Sequence, residues 1–87
     1  MAIVQIPSLM RDLTAGQVQV TLPGRTLRQV LDALEEAYPG IRDRLCEAGQ
    51  LKPEVMVSVD GRVARLGLAQ PVGEQSEVRF LSVVSGG

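Results

Sequence analysis

The stretch RTLRQVLDALEEAYPG, residues 25–40, limits the folds open to this chain more than any other segment. Pro23 and Gly24 break what precedes it, Thr26 is a good N-cap, and Gln29 three residues on completes a capping box. Leu27, Val30, Leu31, Leu34 and Tyr38 then recur at helical spacing as one apolar stripe, with Arg28, Asp32, Glu35 and Glu36 on the wet side. Pro39 and Gly40 stop the helix. One helix with one apolar stripe needs one apolar sheet face to cover it, which makes the fold a two-layer α+β sandwich.

The flanking segments supply that sheet. AIVQI opens the chain as a strand that Pro7 ends, with Val4 and Ile6 on one face. QVQVTL alternates, placing Val18, Val20 and Leu22 on one side, and the connection through Gly16 makes a hairpin with a long loop. IRDRLCEAG forms a second short helical turn that packs Ile41 and Leu45. In EVMVSVDGRVARL, Asp60-Gly61 between alternating segments is the strongest local hairpin signal. Val55, Val57 and Val59 face one way there, and Met56 and Ser58 the other. Leu68 and Val72 anchor a turn-rich stretch, and EVRFLSVV is a terminal strand with Val78 and Phe80 on one side. This order fits a β-grasp, with first and last strands side by side in a mixed sheet; periodicity also leaves a ferredoxin-like variant open.

Bulk properties narrow the function classes. A chain of 87 residues holds one domain with one modest core, and a domain of this size buries only about 60 to 65% of its unfolded surface. A net charge of -1 gives no reason to expect nucleic acid as a partner. No apolar run approaches the roughly 18 residues of a membrane span, and MAIVQIPSLMRD lacks a charged n-region and a cleavage site, so a cytoplasmic protein is expected. Cys46 is the only cysteine and histidine is absent, which removes histidine triads, Cys-His pairs and histidine zinc ligands. No resident metal, bound cofactor or catalytic residue is expected.

SVVSGG, residues 82–87, then poses the functional question. Two glycines at a chosen site are about a one-in-200 accident. If the last strand ends near Ser82, residues 83–87 form a flexible tail that extends on the order of 17 Å, at about 3.3 to 3.6 Å per residue. Without Cβ atoms, Gly86 and Gly87 can enter a channel too narrow for any side chain. A free carboxylate on Gly87 is an anion at neutral pH, its pKa being about 3.3 to 3.7, and a poor electrophile. Another enzyme must activate it, most economically as an acyl-adenylate that sulfide or a thiol can displace.

RTLRQVLDALEEAYPGI, VMVSVDGRVA and EVRFLSVVSGG together resemble the ubiquitin-like sulfur carriers of bacteria and archaea. This MoaD/ThiS-like family includes the molybdopterin synthase small subunit and the thiamine-pathway carrier. The similarity covers nearly the whole chain, with Gly86-Gly87 its most specific element. IPSLMRDLTAGQ and LEEAYPGIRDRL look more like the branch that delivers sulfur for cysteine biosynthesis. The resemblance implies a β-grasp and adenylation of Gly87 by a ubiquitin-activating-like adenylyltransferase that uses ATP and magnesium. It implies a thiocarboxylate product and a sulfur-accepting enzyme, either a pyridoxal-phosphate cysteine synthase or the large subunit of molybdopterin synthase. Val84, Ser85 and Gly86 would carry the tail into partner active sites. Many members have proline just before the tail, where this chain has Leu81, Ser82 and Val83.

Other residues admit two readings each. Cys46, beside Leu45 on the expected short helix, reads as a small packing residue rather than a thioester or redox site. Lys52, the only lysine, reads as a solvated loop residue, and it limits acceptors for self-conjugation. Arg62, Arg65 and Arg79 lie on or near the expected sheet, either solvated or facing an acidic partner. Met56 and Leu81 point away from the helix and form, with Arg79, a docking face for the activating enzyme, unless a loop covers them. A protein modifier joined through Gly87 to target lysines would use the same adenylate, and a plain binding module would need no terminus.

Overall fold

Thr26 starts the main helix as its capping pattern requires. In the computed structural model, which describes residues 1–82, helix α1 runs Leu27–Ala37. The Thr26 hydroxyl accepts from the Gln29 N–H at 3.3 Å, and Gln29 Oε1 accepts from the Arg25 N–H at 2.8 Å. The reciprocal arm of the capping box therefore reaches one residue further back than the usual pattern. Leu27, Val30, Leu31 and Leu34 are buried and Tyr38 is half-buried. Beyond the helix, the Glu35 carboxylate accepts from the N–H groups of Gly40 and Arg42, at distances down to 2.9 Å. These bonds satisfy donors at the start of a second helix, α2, Ile41–Leu45, whose Ile41 and Leu45 close one side of the core.

Among the described residues seven strands complete the fold: β1 Ala2–Gln5, β2 Gln19–Leu22, β3 Cys46–Glu47, β4 Gln50–Leu51, β5 Val55–Val59, β6 Arg62–Val63 and β7 Glu77–Ser82. Five of them form one mixed sheet in the order β2-β1-β7-β5-β6. β1 and β7 run parallel, with Val4 beside Val78, and the other neighbours are antiparallel. The sheet face carrying Ala2, Val4, Leu22, Val57, Val59, Val78 and Phe80 packs on the α1 stripe, with Leu68 and Val72 sealing the edge. This is the β-grasp architecture. No helix of the described residues is long and apolar enough to cross a membrane.

The β5–β6 turn is the expected Asp60-Gly61, both residues at positive φ (53° and 83°), the pattern of a two-residue hairpin loop. Two local expectations differ. Val18 is exposed rather than core-facing: it lies one position past the last β1–β2 pair, Gln5 with Gln19, where only the Ile6 N–H still reaches its carbonyl, at 2.8 Å. Cys46 lies not on a helix but in β3, which pairs with β4 as a separate hairpin turned by Ala48 and Gly49 at φ 55° and 77°. Alanine at positive φ is uncommon, so the sequence carries little sign of that turn.

Candidate functional site

Four of the expected site residues, Val84, Ser85, Gly86 and Gly87, lie outside the described residues, as does the whole 83–87 tail. The strand that leads to them does not. β7 lies third of the five strands and is held firmly where it begins. Asp60 Oδ1 accepts from the Glu77 N–H at 2.9 Å and Oδ2 from the Ser76 hydroxyl at 2.7 Å. Ser76 Oγ in turn accepts from the Gly73 N–H at 2.8 Å, and the Asp60 N–H donates to the Glu77 carbonyl at 2.8 Å. These bonds hold the Asp60 carboxyl below the usual carboxylate range, the Glu77 N–H contributing most.

Strand parity explains how the chain does without proline near the tail. The Glu77 carbonyl faces β5, while Ile3 N–H donates to the Ser76 carbonyl from the β1 side at 2.8 Å. Backbone groups of Glu77, Arg79 and Leu81 therefore turn to β5, and those of Val78, Phe80 and Ser82 to β1. The β5 ladder continues through Met56 with Leu81 and Val55 with Ser82, whereas the β1 ladder ends at Gln5 with Arg79. Up to Ser82 the chain is kept extended by its neighbour strand.

On the outer sheet face, Met56 and Leu81 are brought together, 39% and 48% exposed, with no loop of the described residues over them. Arg79 stands two pairs along, opposite Ser58, and donates through Nε to Glu77 Oε1 at 2.9 Å. Glu77 Oε2 also accepts from Gln5 Nε2 at 3.4 Å. The arginine is thus oriented along the strand by its neighbour.

The remaining candidates are elsewhere. Cys46 packs against the core, and burial pushes its thiol up, outweighing the nearby Arg42. Lys52 is half-buried, its N–H donating to the Leu45 carbonyl at 2.9 Å. Among the described residues no group of three or more Cys, Asp or Glu side chains is gathered to hold a metal. Sequence reasoning missed the Asp60, Ser76 and Gly73 latch and a groove that joins Arg62, Val63 and Arg65 to Gln70. Asp60 had been legible only as a turn residue, and Gln70 carried no signal.

The family model described as the ThiS family matches residues 4–87. The sulfur carrier protein CysO of Mycobacterium tuberculosis is 36% identical over 89 residues, covering 97% of this chain and 96% of that protein. The crystal structure of M. tuberculosis CysO superposes with a TM-score of 0.91 at 34% identity, over 97% of this chain and 100% of that one. The Amycolatopsis orientalis BexX/CysO complex contains a chain with a TM-score of 0.94 at 29% identity, both chains fully covered. The small archaeal modifier protein 1 of Methanosarcina acetivorans gives a TM-score of 0.83 at 25% identity, over 99% of this chain and 95% of that one.

Proposed function

The chain belongs to the ThiS family, and from that premise we propose that it is a sulfur carrier of the kind that serves cysteine biosynthesis. The observation that carries this reading is the family match running through Gly86 and Gly87, joined to likeness over nearly the whole chain to proteins named as sulfur carriers. The chemistry follows from the tail. The Gly87 carboxylate attacks the α-phosphate of ATP on an activating adenylyltransferase, with magnesium there, and releases pyrophosphate. Sulfide then attacks the acyl carbon, the bond to AMP breaks, and a thiocarboxylate forms with release of AMP. A sulfur-accepting enzyme, in this branch a pyridoxal-phosphate cysteine synthase, takes that sulfur. The protein is then a co-substrate rather than a catalyst.

Each part of the chain has a role in this reading. Gly86 and Gly87 pass a narrow channel, Ser85 and Val84 span the distance from the body, and β7 aims them. Met56 and Leu81, with Arg79 held by Glu77, form the contact face for the activating enzyme next to the strand from which the tail departs. A small exposed apolar pair with a polar rim is the composition of a transient interface.

Likeness to the small archaeal modifier protein 1 favours one second reading, a modifier joined through Gly87 to lysines of other proteins. Intact mass spectrometry after co-expression with an activating enzyme and a sulfur donor separates the two. A mass increase equal to one sulfur replacing one oxygen, located in the C-terminal peptide and absent when Gly87 is deleted, is expected. Higher-mass adducts with other proteins and no such increase would point to the modifier, and an unmodified chain would overturn both.

A further inference from the structure

Several of the surface arginines have acceptors within the fold. Arg42 pairs with Asp32, Arg44 with Asp12 and Arg79 with Glu77, and Arg11 Nε donates to the Ile6 carbonyl at 3.2 Å. Arg62 and Arg65 are both exposed, and among the described residues neither side chain has an ion pair or hydrogen bond. The two border one shallow groove of about 470 Å³, completed by Val63 and Gln70. Among the described residues no carboxylate lines it. Asp60, the acidic residue nearest along the chain, is committed to Ser76 and Glu77. Gln70 Oε1 accepts from the Leu66 N–H at 3.4 Å, so what its amide still has to offer the groove is donors.

The backbone adds to this. Among the described residues β6 is an edge of the sheet, and the Ala64 N–H donates to the Val57 carbonyl at 2.8 Å. Arg62 and Ala64 therefore turn their backbone groups to β5, and Val63 turns its N–H and carbonyl outward. An extended chain laid along this edge would find one residue's worth of ladder pairing, two guanidinium groups and an amide. Every side-chain hydrogen-bonding group in the groove is then available as a donor, which selects for an acceptor-rich, negatively charged ligand.

We propose that this groove receives an extended acidic segment of a partner protein, its carboxylates on Arg62 and Arg65 and its backbone against Val63. Val63, 54% exposed, offers an apolar contact that a free phosphate ion cannot use. Two cations on a chain of net charge -1 are few for a nucleic-acid backbone, whose binding rests on many neutralised phosphates. The inference rests on the carrier reading only in that partner proteins handle the chain.

The test is an NMR titration of the full, isotope-labelled chain in low salt. The probes are a synthetic peptide alternating Glu and Val, its Gln and Val counterpart, and inorganic phosphate. The acidic peptide is expected to shift the amides of residues 62–65 and the Gln70 side-chain amide, and to lose these shifts in high salt. Arg62→Gln with Arg65→Gln should weaken binding about tenfold while leaving the remaining spectrum in place. Equal binding of the neutral peptide or of phosphate, shifts confined to another surface, no shifts, or self-association without peptide would each overturn the proposal. None of these outcomes involves activation of Gly87, so the mass experiment above succeeds or fails independently.

Discussion

Met56 and Leu81 stand directly opposite each other across the β5–β7 ladder, on the sheet face that α1 does not cover, and both are exposed. Their partners one residue along, Val57 and Phe80, are buried. The same two strands thus present a core pair and a surface pair. Replacing Met56 and Leu81 together by Ser should cost less than about 1 kcal/mol of stability, as expected for surface positions. It should raise the KM for activation about tenfold with kcat little changed, because the contact is made equally before and during reaction. Unchanged KM in steady-state adenylation assays would remove this face from the interface.

Proline scanning at the end of β7 tests the ladder parity. Leu81→Pro removes an N–H directed at β5 and should destabilise by about 1 to 3 kcal/mol in urea unfolding. Ser82→Pro removes an N–H directed where the β1 ladder has already ended, at Gln5 with Arg79, and should be nearly neutral. Equal losses at the two positions would contradict the assigned register.

Gly24 has φ +147°, and a Cβ built there would lie 2.7 Å from Val30 Cγ2 and 2.8 Å from the Val30 backbone nitrogen. The nitrogen belongs to the first turn of α1 and cannot move aside. Gly24→Ala should therefore cost about 1 to 3 kcal/mol or more. Gly49→Ala, at φ +77° with nothing within 4 Å, should cost about 1 kcal/mol from its left-handed backbone alone. Thermal unfolding of the two variants side by side checks the order, and Gly49→Ala proving the worse would refute the contact.

Acid sensitivity should follow Asp60 and Glu35. Both carboxyls are held below their usual range, Asp60 by the Glu77 N–H and then the Ser76 hydroxyl, Glu35 by the N–H groups of Gly40 and Arg42. A depressed folded-state pKa contributes stability that is fully present above the ordinary carboxylate values of about 3.9 and 4.3. That contribution is lost as pH falls through the lowered values. Urea midpoints for Asp60→Asn should be lower than the parent's at neutral pH and converge with it toward pH 3. A constant difference across that range would show that the charge of Asp60 is not what the latch uses.

Local signals account for most of what was legible. The capping pair Thr26 and Gln29, the stripe from Leu27 to Leu34, the Asp60-Gly61 turn and the alternation of Val57 and Val59 each depend on residues within a few positions. The sequence was therefore enough for the α+β class, the main helix and the hairpin. The resemblance carried by Gly86-Gly87 and the flanking strand supplied the family.

Other features depended on residues far apart in the chain. Val4 beside Val78 makes β7 an inner strand, a pairing that fits the β-grasp expectation but that periodicity alone left open. Asp60 meeting Ser76, and Arg62 meeting Gln70 at one groove, bring together segments that neither periodicity nor turn chemistry links. Val18 has the alternation of a core residue and yet is exposed, one position past the last β1–β2 pair. Alternation assigns a residue to a side of a strand. Whether that side is covered depends on which strands and helices pack beside it, and that is decided by burial of the assembled layers.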